Sequence, residues 1–78
     1  MDRATKRKAN ERLAELSYGR RYSVGEFVAE ARKISYEVSE ALDGIWCGRS
    51  GRAYGTIDNT CSLVVDWYEG KVEVAYIS

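Results

Sequence analysis

Apolar residues recur at every third or fourth position over residues 1–42 and at alternate positions over residues 61–77, and that change of period most constrains the fold. A helix-favouring half followed by a strand-favouring half points to an α+β domain rather than a parallel α/β sheet. The 78 residues form a single domain, 1–78, with no proline, repeat or linker-like stretch to divide it. A chain of this size buries roughly 60–65% of its unfolded surface, so it folds with little margin.

The helical half reads as two N-terminal helices, about 3–17 and 24–43. The second is the better specified. Ser23 and Glu26 have the spacing of a capping box, and Asp43-Gly44 supplies a stop. Between them Val24, Phe27, Val28, Ala31, Ile34, Val38, Ala41 and Leu42 make one apolar stripe, which predicts a continuous rod of about 30 Å. The same stretch can be laid on a helix-turn-helix pattern through Ala29, Ile34, Ser35 and Leu42. Lys33 then occupies the place usually held by a left-handed glycine, and Val38 falls one residue early, so the continuous helix is the preferred reading. In the first helix only Leu13 and Leu16 are large apolar residues, which predicts a weak hold on the core.

The strand half predicts a three- to four-stranded antiparallel β-meander over about 45–77. Residues 61–68 and 71–77 flank Glu69-Gly70, a two-residue hairpin loop that is weaker than Asn-Gly. Strict alternation from that loop pairs Trp67 with Val72, Val65 with Val74 and Leu63 with Tyr76. It would place Cys61, Leu63, Val65, Trp67, Val72, Val74 and Tyr76 on one face. Upstream, Ile45–Cys47 and Arg52–Ile57 read as one or two short strands around the turn Gly48-Arg49-Ser50-Gly51, with Asp58-Asn59 as the next turn.

The residue inventory argues against an enzyme. There is no histidine, so the commonest general base and metal ligand are missing, and none of the serines has a partner to activate it. Cys47 and Cys61 are too few for a structural zinc site, and their spacing is not that of a redox pair. They read as reduced, core-facing thiols. No catalytic residue, metal site or cofactor is expected. No run of about 18 apolar residues suggests a membrane span, and nothing resembles a signal peptide, so the expected location is the cytoplasm.

Charge supplies the remaining signal. The net charge is zero, but residues 1–21 carry seven basic against three acidic side chains, and residues 22–78 carry five against nine. Lys6, Arg7 and Arg12 lie on the first helix. Tyr18, Arg20, Arg21 and Tyr22 follow it, and Arg49 and Arg52 belong to the later glycine-rich turn. Tyrosine and arginine dominate binding hot spots, so these nine residues read as a surface for a larger protein or protein complex. The corresponding function is a small non-enzymatic protein-binding domain. It would act as an inhibitor by occupation, as phage anti-defence and anti-CRISPR proteins of this size do. The alternative is a nucleic-acid-binding module that uses the same cations on phosphates and the tyrosines on bases. A homodimer through an unpaired sheet edge or an uncovered sheet face is a further expectation.

Overall fold

A computed structural model describes residues 1–44, 46–58 and 60–78. The chain is α+β. Helix α1 (Arg3–Ser17) leads through a 3-10 turn (Tyr18–Arg20) into α2 (Val24–Ala31) and α3 (Tyr36–Ala41). Strands β1 (Gly51–Thr56), β2 (Ser62–Tyr68) and β3 (Lys71–Ile77) follow. The strands form one antiparallel meander in the order β1-β2-β3. The helices cover one face of it, and Leu13, Leu16, Phe27, Val38 and Leu42 meet Leu63, Val65, Trp67 and Val72 in the core.

The capping box is present in full. Ser23 Oγ accepts from the Glu26 amide at 3.2 Å, and the Glu26 carboxylate accepts from the Ser23 amide at 3.0 Å. That backbone N–H holds the Glu26 carboxyl below its usual range. The continuous helix over 24–43 does not form. It ends at Ala31, and α3 restarts at Tyr36 with Ser35 as its N-cap, the Ser35 hydroxyl accepting from the Val38 amide at 3.2 Å. Lys33 does not forbid this break, because among the described non-glycine residues only Arg20 and Glu69 have positive φ. The turn closes through the Lys33 and Ile34 amides, which donate to the Glu30 and Ala31 carbonyls, and it needs no glycine there. Arg32 laces its two sides together, donating to Ser39 and to the Asp43 carboxylate. Although the chain does break where a helix-turn-helix would, α3 has only six residues and exposes Tyr36, Glu37 and Glu40. Two outward carboxylates suit phosphate poorly.

The break lets α3 settle on β1. Gly51, Ala53 and Gly55 lie on the helix side of β1, opposite Trp67, Val65 and Leu63. A Cβ built at Gly55 would stand 2.2 Å from the Ala41 carbonyl oxygen. Glycine is therefore required there by close backbone approach. Of the three to four strands expected, three form among the described residues; none runs over Trp46 and Cys47, and Ile45 lies outside the described residues. Trp46 instead turns inward, with its ring centroid 6.2 Å from Phe27 and 4.9 Å from Trp67. The cysteines are unbridged. Cys61 is buried as expected, but Cys47 is exposed, on the segment that precedes β1 and lies outside the sheet. Asn59 of the expected Asp58-Asn59 turn is also outside the described residues.

The hairpin departs from strict alternation. Tyr68 faces Lys71 and Trp67 faces Val72, as expected, but Asp66 then faces Val74, Val65 faces Ala75 and Leu63 faces Ile77. Glu73 is the extra residue of a β-bulge. Beyond it the pleat is inverted, so Ala75 and Ile77 are buried while Val74 and Tyr76 turn outward. The gain is a wholly apolar side chain, Ile77, in the core where strict alternation would have buried a tyrosine hydroxyl.

Helix α1 runs antiparallel to β3 and is held better than its composition suggests. Leu13 and Leu16 are fully buried, and Asn10 reads the backbone of Ile77 like a short strand. Its Oδ1 accepts from the Ile77 amide at 2.6 Å, and its Nδ2 donates to the Ile77 carbonyl at 3.0 Å.

The α3–β1 contact has a direct test. Gly55→Ala forces a methyl against backbone, which has little freedom to move, and is expected to lower stability by about 2–3 kcal/mol in urea unfolding. Gly51→Ala meets only the Trp67 ring, at 3.3 Å, and is expected to cost less. Equal stabilities for the two variants would contradict the close approach.

Candidate protein-binding surface

The two segments singled out by their arginines and tyrosines converge on the turn between β2 and β3. Glu69 and Gly70 both have positive φ, 51° and 78°, which is the two-residue turn expected from the sequence. On one side the Arg49 carbonyl accepts from the Gly70 amide at 2.8 Å, and Ser50 Oγ accepts from the Glu69 amide at 3.0 Å. On the other side Val24 donates to the Gly70 carbonyl at 3.0 Å, Val72 donates to the Tyr22 carbonyl at 3.1 Å, and Ser23 bridges Lys71. The turn is thus gripped from both flanks by the loops that carry the candidate side chains.

Arg20 is the most constrained of them. It holds φ at 53° directly after Gly19, also left-handed, a conformation that costs a non-glycine residue about 1 kcal/mol. Three contacts hold it there. Its guanidinium lies 5.2 Å from the centroid of the Tyr68 ring, donates to the Tyr68 carbonyl at 3.3 Å, and pairs with Glu73 at 3.5 Å. Strain retained at an exposed position is a reason to look for function nearby.

Beside Arg20, the residues Arg12, Ala14, Glu15, Tyr18, Arg21 and Tyr22 line an open depression of about 530 Å³. The Tyr18 side chain is 73% exposed at its rim. Arg12 also borders a second groove between α1 and the break after α2, of about 350 Å³, where Glu30 takes both Arg12 and Lys33. Six of the nine candidates therefore gather at one end of the molecule: Arg12, Tyr18, Arg20, Arg21, Tyr22 and Arg49.

The other three do not join them. Lys6 and Arg7 sit toward the opposite end of α1, near where the Met1 amine meets Asp58. From residue 6 to residue 18 the helix rises about 18 Å. Arg52 lies on the outer face of the sheet, making a two-pronged pair with Asp66 at 2.6 and 3.0 Å. Sequence reasoning missed Tyr68, Glu69 and Glu73, which position the arginines. Their signal was the weak Glu-Gly turn, whose flanking residues had to be held by something.

Electrostatically the surface is mixed rather than positive. Arg12 faces Glu15 and Glu30, Arg20 faces Glu73, Arg49 faces Glu69 and Arg52 faces Asp66. Among the described residues, no group of three metal-ligating side chains converges, and no helix is long and apolar enough to cross a membrane. No protein-family model matches the chain, and no curated protein or solved structure matches it either.

Glu69 is a poor residue for a left-handed turn position, and its pair with the largely exposed Arg49 is worth little in solvent. Glu69→Asn is therefore expected to raise stability by about 0.5–1 kcal/mol in chemical denaturation. A loss of stability would mean that the Arg49 contact, rather than backbone strain, governs the turn.

Proposed function

We propose that this chain is a small non-enzymatic domain that binds another protein through the end built around the Glu69-Gly70 turn. The observation that carries the reading is the convergence of Tyr18, Arg20, Arg21, Tyr22, Arg49 and Tyr68 on that end, with most cations already matched by carboxylates. Tyrosines and arginines on a pre-ordered loop give large contact area at little entropic cost. Exposed intramolecular ion pairs exchange readily for a partner's charges. Phosphate, by contrast, would meet Glu15 beside Arg12, Glu73 beside Arg20 and Glu69 beside Arg49. In this reading the domain works in the cytoplasm by occupation. It covers a surface of a larger protein complex, as phage inhibitors of the anti-CRISPR kind do.

Two measurements test it. Labelled single- and double-stranded nucleic acids, titrated at about 50 and 200 mM salt, are expected to show no binding at micromolar protein. A photocrosslinking residue at Tyr18 or Tyr68 is expected to give one discrete adduct with a cellular protein, lost on Arg20→Glu. The same probe at Tyr36, on α3, should give none. Salt-sensitive micromolar nucleic-acid binding without an adduct would replace this reading with the phosphate-binding one.

A further inference from the structure

The face of the sheet turned away from the helices carries a second surface, separate from the loop end. Its residues fall into rows fixed by the strand register. Tyr54, Val64 and Tyr76 form the central row; Arg52, Asp66 and Val74 lie on one side of it, and Thr56 and Ser62 on the other, extended by Ser78. No helix or loop packs over these rows among the described residues. Val64 is nevertheless only 4% exposed and stands apart from the core cluster, so the burial comes from its flanking tyrosines. Tyr54, Tyr76 and Val74 remain 63%, 43% and 42% exposed.

We propose that this face is the interface between two copies of the chain, packed sheet on sheet. Three features select a second copy as the occupant. First, the face is electrically closed. The two charges within its rows, Arg52 and Asp66, already form a bidentate pair, and Glu73 at its border is held by Arg20. Such a face neither attracts a polyanion nor repels a copy of itself. Second, the rows are self-complementary under one particular twofold axis. With the axis along Tyr54–Val64–Tyr76, the central rows stack on each other. The Arg52–Asp66–Val74 row of each copy then lies over the other's Thr56–Ser62–Ser78 row. Like charges never meet, and the hydroxyls face the ion pair. An axis along the strands would instead set Asp66 against Asp66. Third, the areas match a modest dimer. The exposed parts of Tyr54, Val74 and Tyr76 amount to roughly 250–300 Å² per copy. Doubled and rimmed by the polar rows, that reaches about the lower end of specific interfaces, near 1,200 Å². The sheets would stand about 10 Å apart. Both loop ends stay uncovered, so the dimer is bivalent for whatever those ends bind.

Sedimentation equilibrium of the full chain, over about 5 to 300 µM, tests the proposal. The expected result is a rise in mass from 8.8 kDa toward twice that value. Because Tyr54 and Tyr76 are exposed, the double substitution Tyr54→Glu and Tyr76→Glu should keep the circular dichroism of the fold. It should raise the dissociation constant at least tenfold, while Tyr36→Glu should leave it unchanged. A chain that stays monomeric to about 300 µM would overturn the proposal, as would a dimer unaffected by the double substitution. So would a monomer in which this face is protected only by added single-stranded nucleic acid or by a different protein. None of these outcomes touches the photocrosslinking result at Tyr18 and Tyr68, so failure here is distinguishable from failure of the protein-binding reading.

Discussion

One extra residue in β3 decides what this small domain shows to solvent. Between Trp67–Val72 and Asp66–Val74, Glu73 has no partner of its own, and the pleat of β3 inverts beyond it. Ala75 and Ile77 enter the core as a result, and Tyr76 joins Tyr54 on the open face, with Val74 one row away. The bulge also puts Glu73 where Arg20 can reach it, which steadies the left-handed Arg20. Core composition, the apolar outer face and the geometry of the loop end thus share one local cause. Bulges are commonly placed where a strand must redirect side chains without ending its pairing.

The two sheet edges are treated differently. The outer edge of β3 is closed at one end by Tyr22 and Ser23 and at the other by the Asn10 amide. That protection removes a strand-pairing hazard and fastens α1, whose apolar residues alone are few. Strand β1 buys its close fit to α3 with small residues on the inner side, at Gly51, Ala53 and Gly55. Its outward side chains, Arg52 and Tyr54, belong to the open face. The helix layer is complete over one side of the sheet, and apolar and aromatic surface is concentrated on the other.

Much of the architecture was legible in the sequence because it rests on local rules. Periodicity identified the α+β class, Ser23 and Glu26 marked the start of α2, and Glu69-Gly70 marked the hairpin. What escaped depended on tertiary choice. The stripe from Val24 to Leu42 fits one helix or two, since a turn at Lys33 and Ile34 leaves the spacing of buried residues intact. Only the cap at Ser35 signalled the break. The bulge was hidden because Val74, Ala75, Tyr76 and Ile77 are all acceptable on either face, and the deciding term was burial of Ile77 in preference to a tyrosine. Asn10 looked like an ordinary polar helix residue until β3 was placed beside it. For the candidate surface, the residues at 18–22 and Arg49 were recognisable by type. Their convergence was not, because it follows from two loops docking on one turn that lies about 50 and 20 residues downstream of them.

The register of the β2–β3 hairpin is the feature from which the core, the open face and the Arg20 anchor all follow, and nuclear Overhauser contacts between α-protons read it directly. The bulged pairing predicts strong contacts between Leu63 and Ile77 and between Val65 and Ala75. Contacts of Leu63 with Tyr76 and of Val65 with Val74 would instead restore strict alternation. They would put Tyr76 in the core and contradict the account.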